Sequence, residues 1–213
     1  MRRRPPLLLL TLLAVLAVAI ALIVLLTSPS HHHGASSAVP GSEATNSSGF
    51  DGAAIPPSPL ASDFTLADQN GRSVSLSNVR GHVAVVTFLY STCGATCILI
   101  AQQIRGALDE LPHPVSILIV SADPGADTPA SVSRFLAQVS LTGRVRYLTG
   151  SLAQLRPIWR AYHVHPASSG LAAFDRYAFL LLLDARGRER VLFEPEVLTP
   201  EALAHDIGKL QAG

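Results

Sequence analysis

Cys93 and Cys97 are the two cysteines of this 213-residue chain, and only Gly94, Ala95 and Thr96 separate them. Four positions is a little more than one helical turn, so two thiols so spaced face one side of a helix's first turn. Two adjacent thiolates have two obvious chemistries: interchange between dithiol and disulfide, or chelation of a soft ion such as Cu(I). The spacing is too short for a framework joining distant parts of a small fold. A buried local disulfide, or two inert thiols, is the competing structural reading.

The elements around the pair weigh on that choice. Val83–Tyr90 (VAVVTFLY) is β-branched or aromatic and apolar nearly throughout, the pattern of a strand buried on both faces. A helical stretch follows from about Ala95 to Leu111. Cys93 therefore stands where a buried strand gives way to a helix. The first amide N–H groups and the dipole of that helix favour its thiolate. Loops at strand ends form the rim of an open sheet, a poor place to hide inert sulfur.

Around this unit, Asp63–Leu66 and Ser73–Leu76 flank Asn70-Gly71, a hairpin signal. Val115–Val120 is a second buried strand. Asp127-Thr128-Pro129 opens a helix to about Val139, with a capping side chain and proline in the first turn. Arg144–Leu148 is a short strand, Ser151–Tyr162 a helix, and Phe179–Leu183 a third strongly apolar strand. Gly187 turns it into Arg190–Phe193, and Thr199-Pro200-Glu201 starts a last helix to about Leu210. Strands alternating with helices, then a terminal hairpin and helix, make an α/β sandwich with a mixed central sheet. Trp159, Phe88 and Phe179 read as core. His82, His113 and His205 read as scattered surface residues, and Asp123 and Asp127 as turn-forming and helix-capping residues in preference to markers of a docking loop.

The net charge of +1 argues against a nucleic-acid partner. Met1 is the single methionine, so no thioether copper site can be built. Arg2, Arg3 and Arg4 precede an uncharged apolar run from Leu7 to Thr27. As a helix at about 1.5 Å per residue that run spans roughly 32 Å, enough for a hydrocarbon core of about 30 Å. The arginines should remain cytoplasmic and the rest of the chain cross to the other side. A cleaved signal peptide is the alternative, but its apolar region is normally about 7 to 15 residues. Either route takes the cysteines to an oxidising compartment. The expected organisation is a cytoplasmic stub at 1–6, a transmembrane anchor at 7–27, a Ser/Gly/Ala/Pro-rich linker at 28–59 and a folded domain at 60–213. The linker carries His31-His32-His33, a run able to hold a transition metal transiently, and the glycosylation sequon Asn46-Ser47-Ser48.

Several motifs together carry a resemblance. They are Phe64-Thr65-Leu66 with Asp68-Gln69-Asn70-Gly71; Leu76 with Arg80-Gly81; Thr87 to Cys93 with Cys97; Ser121-Ala122-Asp123-Pro124 with Asp127-Thr128-Pro129; Leu148-Thr149-Gly150; and Asp184 to Gly187. From roughly Gly52 to the C-terminus the chain resembles the Sco/SenC copper-assembly proteins. The resemblance implies a membrane-tethered thioredoxin-like domain, which the N-terminal charge pattern places on the extracytoplasmic, periplasmic side of the cytoplasmic membrane. It also implies copper delivery to the binuclear centre of cytochrome c oxidase, or reduction of that centre's cysteines. The partner would be the oxidase's copper-bearing subunit or another extracytoplasmic thiol protein. Cys93 and Cys97 correspond to the family's CxxxC pair, as redox pair and as copper ligands.

Two departures bear on mechanism. Ile98 stands where the family usually has proline. Counting back from Gly187, the family's histidine ligand falls on Arg176, after Asp175. A guanidinium has no lone pair for a metal, but it can stabilise a neighbouring thiolate or an anionic Cu(I) bis-thiolate. His163 and His165 are the nearest substitute ligands. Cu(I) accepts two soft donors, whereas Cu(II) wants a further nitrogen, so weak Cu(II) binding is expected. The resemblance thus points to a metallochaperone or assembly factor, with general thiol-disulfide oxidoreductase as the alternative. Thiol peroxidase fits worse, because Tyr90 stands where a peroxidase carries threonine. A degenerate partner-binding or redox-sensing protein is the non-enzymatic option.

Overall fold

The computed structural model describes residues 48–56 and 58–213. The expected anchor, His31–His33 and Asn46 lie outside them. Among the described residues no helix is long and apolar enough to cross a membrane.

The described residues form the strands β1 (Ala53–Ala54), β2 (Thr65–Ala67), β3 (Ser73–Ser75), β4 (Ala84–Leu89), β5 (Ser116–Ser121), β6 (Arg146–Leu148), β7 (Leu180–Leu183) and β8 (Glu189–Phe193). The helices are α1 (Ala95–Glu110), α2 (Pro129–Gln138), α3 (Leu152–Ala161), α4 (Leu171–Arg176) and α5 (Pro200–Ala212). Six strands form one sheet in the order β1-β8-β7-β4-β5-β6, and β2 and β3 form a separate hairpin. β4, β5 and β6 run parallel, while β7 is antiparallel to β4, and β8 to β7. The parallel pairs need crossovers, and α1 and α2 supply them.

Alternation along the central strands divides the core. Val85 and Leu89 of β4, Ile117 and Ile119 of β5, and Leu180 and Leu182 of β7 point to one face. There they meet Ile100 and Ile104 of α1, Phe135 of α2 and Leu203 and Ile207 of α5. Ala84, Val86, Phe88, Leu118, Val120, Leu181 and Leu183 point to the other face. That face is covered by Leu66 and Val74 of the hairpin and by Leu155, Ile158 and Trp159 of α3. A strand buried on both sides must be apolar at every position, and all six residues of β4 are buried. Thr87 is the polar exception, and its hydroxyl donates to the Phe179 carbonyl at 2.7 Å.

Local signals fix the ends. Gly71 takes φ +77° in the β2–β3 turn, a conformation closed to most side chains. Thr128 and Thr199 cap α2 and α5, each followed by proline at the first helical position. Ser151 and Gln154 form a reciprocal capping box on α3.

The expected boundary at residue 60 falls too late. Phe50 and Gly52 are buried, and β1 pairs with β8 in the register Ala53–Leu192. The fully buried Asp206 carboxylate of α5 accepts the N–H groups of Asp51 (2.9 Å) and Gly52 (3.0 Å). Lys209 Nζ donates to the carbonyls of Ser48 and Gly49 and lies 4.8 Å from the Phe50 ring centroid. Composition reads this stretch as linker because its attachment is made by backbone groups and by partners some 155 residues away.

Candidate functional site

The turn between β4 and α1 begins at Tyr90. Cys93 N–H returns to the Tyr90 carbonyl at 3.1 Å, and Gly94 caps α1. This places Cys93 just before the helix and Cys97 in its first turn. The two are joined as a disulfide with Cα atoms 5.8 Å apart. Cys97 is fully buried and Cys93 keeps 7% of its surface. Thr92, Gly94 and Ala95 beside it are exposed. Rim exposure of both sulfurs, expected from the strand-end position, is therefore not the geometry of the oxidised pair. A disulfide accepts an attacking thiolate and two electrons; once reduced, the same sulfurs offer two thiolates to a soft metal.

Tyr90, whose carbonyl accepts Cys93 N–H, belongs with Phe174 and Ala178 to the same core cluster as the two cysteines. Phe174, from the one-and-a-half-turn helix α4, meets Tyr90 edge-on at 4.9 Å. Burial, then the negative charges of Asp175 and Asp123, push the Tyr90 phenol up, so it stays protonated. Asp175 Oδ1 is buried with no hydrogen-bond partner among the described residues. The sequence flagged Asp175 only as the neighbour of Arg176.

Arg176 does not join this group. It is exposed and lines a cavity of about 510 Å³ whose walls include Tyr162, His163, Tyr177 and Glu189 but neither cysteine. The cysteines are joined as a disulfide here and carry no thiolate for the Arg176 guanidinium to support. The physical reason for its separate placement lies in α4. Phe174 turns into the core beside Tyr90, and Arg176 falls on the side of the short helix that opens to solvent.

The two histidines are likewise engaged elsewhere. His163 adopts φ +54° as the residue after the C-cap of α3. Its N–H donates to Arg160 (3.3 Å) and that of Val164 to Trp159 (2.8 Å), a Schellman closure. His165 stacks on Tyr177 with centroids 4.3 Å apart. Among the described residues, the group of three or more potential metal ligands is Asp51, His205 and Asp206, which contains no cysteine. His205, expected as an isolated surface residue, is half exposed yet lies 3.1 Å from Asp51 and 2.9 Å from Asp206.

Asp127 also departs from expectation. Thr128 is the cap of α2, whereas Asp127 is a buried carboxylate beneath the Cys93 turn. It accepts Ser91 N–H at 2.6 Å, the Ser121 hydroxyl at 2.5 Å and the Tyr147 hydroxyl at 3.0 Å. Burial pushes its carboxyl up, with these hydrogen bonds opposing. Asp123 does form the expected turn, accepting Gly125 N–H at 3.0 Å.

The SCO1/SenC family model matches residues 52–212. An SCO2-like protein of Rickettsia conorii is 23% identical over 137 residues, covering 61% of this chain and 66% of the relative. The chain thus spans about two thirds of that relative's length. The structure of BsSco, described as a member of the Sco family of cytochrome c oxidase assembly proteins with a disulfide switch, superposes with TM-score 0.61. It is 20% identical and covers 74% of this chain and 96% of that one. Copper-bound ScoI of Bradyrhizobium japonicum matches with TM-score 0.54 at 25% identity, covering 71% of this chain and 99% of that one. The shared architecture is the thioredoxin-like sandwich with a mixed central sheet.

Proposed function

Because the chain belongs to the SCO1/SenC family, we propose that it serves assembly of the copper centre of cytochrome c oxidase through Cys93 and Cys97. The reduced pair holds Cu(I) between two thiolates for transfer, or passes its electrons to the cysteines of the receiving protein. The observation that carries this reading is a CxxxC pair at the strand-to-helix turn, closed as a disulfide whose less buried residue, Cys93, lies beside exposed Thr92, Gly94 and Ala95. Copper here is cargo. Soft thiolates suit Cu(I) and need no third protein donor, and the oxidised pair would release it.

Residues 7–27 anchor the domain in the cytoplasmic membrane with residues 48–213 on the extracytoplasmic side. The partner is the copper-bearing oxidase subunit or a thiol protein serving it.

A second reading, thiol-disulfide exchange without copper, is favoured by one observation. Arg176, on which the count back from Gly187 places the family's histidine ligand, lines with His163 a cavity that neither cysteine borders. Competition between the reduced domain and a Cu(I) chelator separates the two. Retention of one copper per chain supports copper handling. Complete loss to the chelator, with a reversible Cys93–Cys97 disulfide, supports thiol exchange alone.

A further inference from the structure

We propose that Asp127 is a positioning residue for the cysteine pair, holding the Cys93 turn through the Ser91 backbone. This rests on the reading of Cys93 and Cys97 as the working pair. Ser91 lies two residues before Cys93, and both its backbone and its side chain are held by the β5–α2 connection. Its N–H donates to Asp127 Oδ1 at 2.6 Å. Its hydroxyl donates to the Ala126 carbonyl at 3.2 Å and lies 3.0 Å from Ser131 Oγ. On the far side of the carboxylate, Ser121 of β5 and Tyr147 of β6 donate to Oδ2. One carboxyl group therefore ties the C-terminal ends of the parallel strands to the turn that carries Cys93.

This is an expensive way to fill space. Asp127 is 7% exposed, and among the described residues no Lys, Arg or His pairs with it; its three donors are neutral. A buried carboxylate without a counter-charge is less favourable than a well-packed apolar side chain of similar volume. What the carboxyl supplies instead is geometry, because a satisfied polar network fixes one arrangement. The roles of its two oxygens are also fixed by chemistry. A backbone N–H can only donate, so Oδ1 stays the acceptor for Ser91 in either protonation state. Any proton sits on Oδ2, where the Ser121 and Tyr147 hydroxyls can turn to accept it. The grip on the Cys93 turn needs an acceptor oxygen, not a charge.

That distinction sets the test. The dithiol–disulfide equilibrium of the full chain is measured against glutathione for wild type, Asp127→Asn and Asp127→Leu. Asparagine keeps an oxygen for Ser91 N–H and turns its amide toward two hydroxyls, so its equilibrium constant should stay within about threefold of wild type. Leucine frees the turn that holds Cys93 5.8 Å from Cys97 between Cα atoms. It should favour the dithiol by about tenfold, about 30 mV for a two-electron couple. An unchanged equilibrium in folded Asp127→Leu, or an equal shift in both variants, overturns the proposal. Should Asp127→Leu not fold, the double variant Ser121→Ala/Tyr147→Phe removes two donors and keeps the carboxyl. A shift of about threefold toward the dithiol supports the proposal, and no shift overturns it. A wild-type pair that does not equilibrate with glutathione would instead refute the proposed function.

Discussion

Reducing the Cys93–Cys97 bond should destabilise the domain by a modest amount set by the shortness of its loop. The cysteines are four positions apart. Loop-closure entropy for so few residues is about −6 to −7 cal/mol/K, or about 2 kcal/mol at 25 °C. For a folded unit of this size, about 2 kcal/mol corresponds to a fall in Tm of about 4–8 °C. By the same thermodynamic cycle the folded disulfide should be about 40 mV harder to reduce than the unfolded one. Thermal unfolding followed by circular dichroism, with and without a phosphine reductant, reads the first figure. The double variant Cys93→Ser/Cys97→Ser is the control and should not respond to reductant. A Tm that rises on reduction, or a fall as large in the control, would refute the reasoning. The first would mean that the folded domain prefers the dithiol.

Other outcomes follow from single side chains. Phe174→Ala removes a ring 2% exposed that meets Tyr90 edge-on at 4.9 Å; it should cost about 3–5 kcal/mol in urea unfolding. His163→Gly should be neutral or stabilising because φ is +54° there, whereas His163→Val should cost about 1–2 kcal/mol, both read from denaturation midpoints. Burial raises the Asp127 carboxyl, so the folded state binds its proton more tightly than the unfolded chain. That contribution to stability is present in acid and lost as pH rises from the ordinary carboxyl range through the raised value. Asp127→Asn should remove this part of the pH dependence, as a flatter plot of unfolding free energy against pH would show.

Much of the fold is legible in the sequence because its strands are buried on both faces, and continuous apolar runs such as Val83–Tyr90 have few other readings. Turn chemistry at Asn70-Gly71, Thr128-Pro129 and Thr199-Pro200 locates the ends of neighbouring elements for local reasons. What escapes is made by distant partners. The attachment of residues 48–54 depends on Asp206 and β8, neither of which a Ser- and Gly-rich stretch announces. Helix α4 has six residues and is capped by Gly170 with φ +98°, so no periodicity reveals it. Its direction decides that Phe174 meets Tyr90 while Arg176 faces another cavity. The cysteine pair is legible from spacing alone, but the buried carboxylate beneath it is not. An aspartate before Thr-Pro reads as a helix cap, and only the packed strands bring Ser91, Ser121 and Tyr147 to it.

X-ray absorption at the copper edge of the reduced chain, loaded with one equivalent of Cu(I), asks most directly whether these two sulfurs are the site. Two sulfur neighbours around copper, falling to one in Cys97→Ser, is the result expected. A first shell of nitrogen or oxygen alone, or a sulfur shell that Cys97→Ser leaves unchanged, would contradict it.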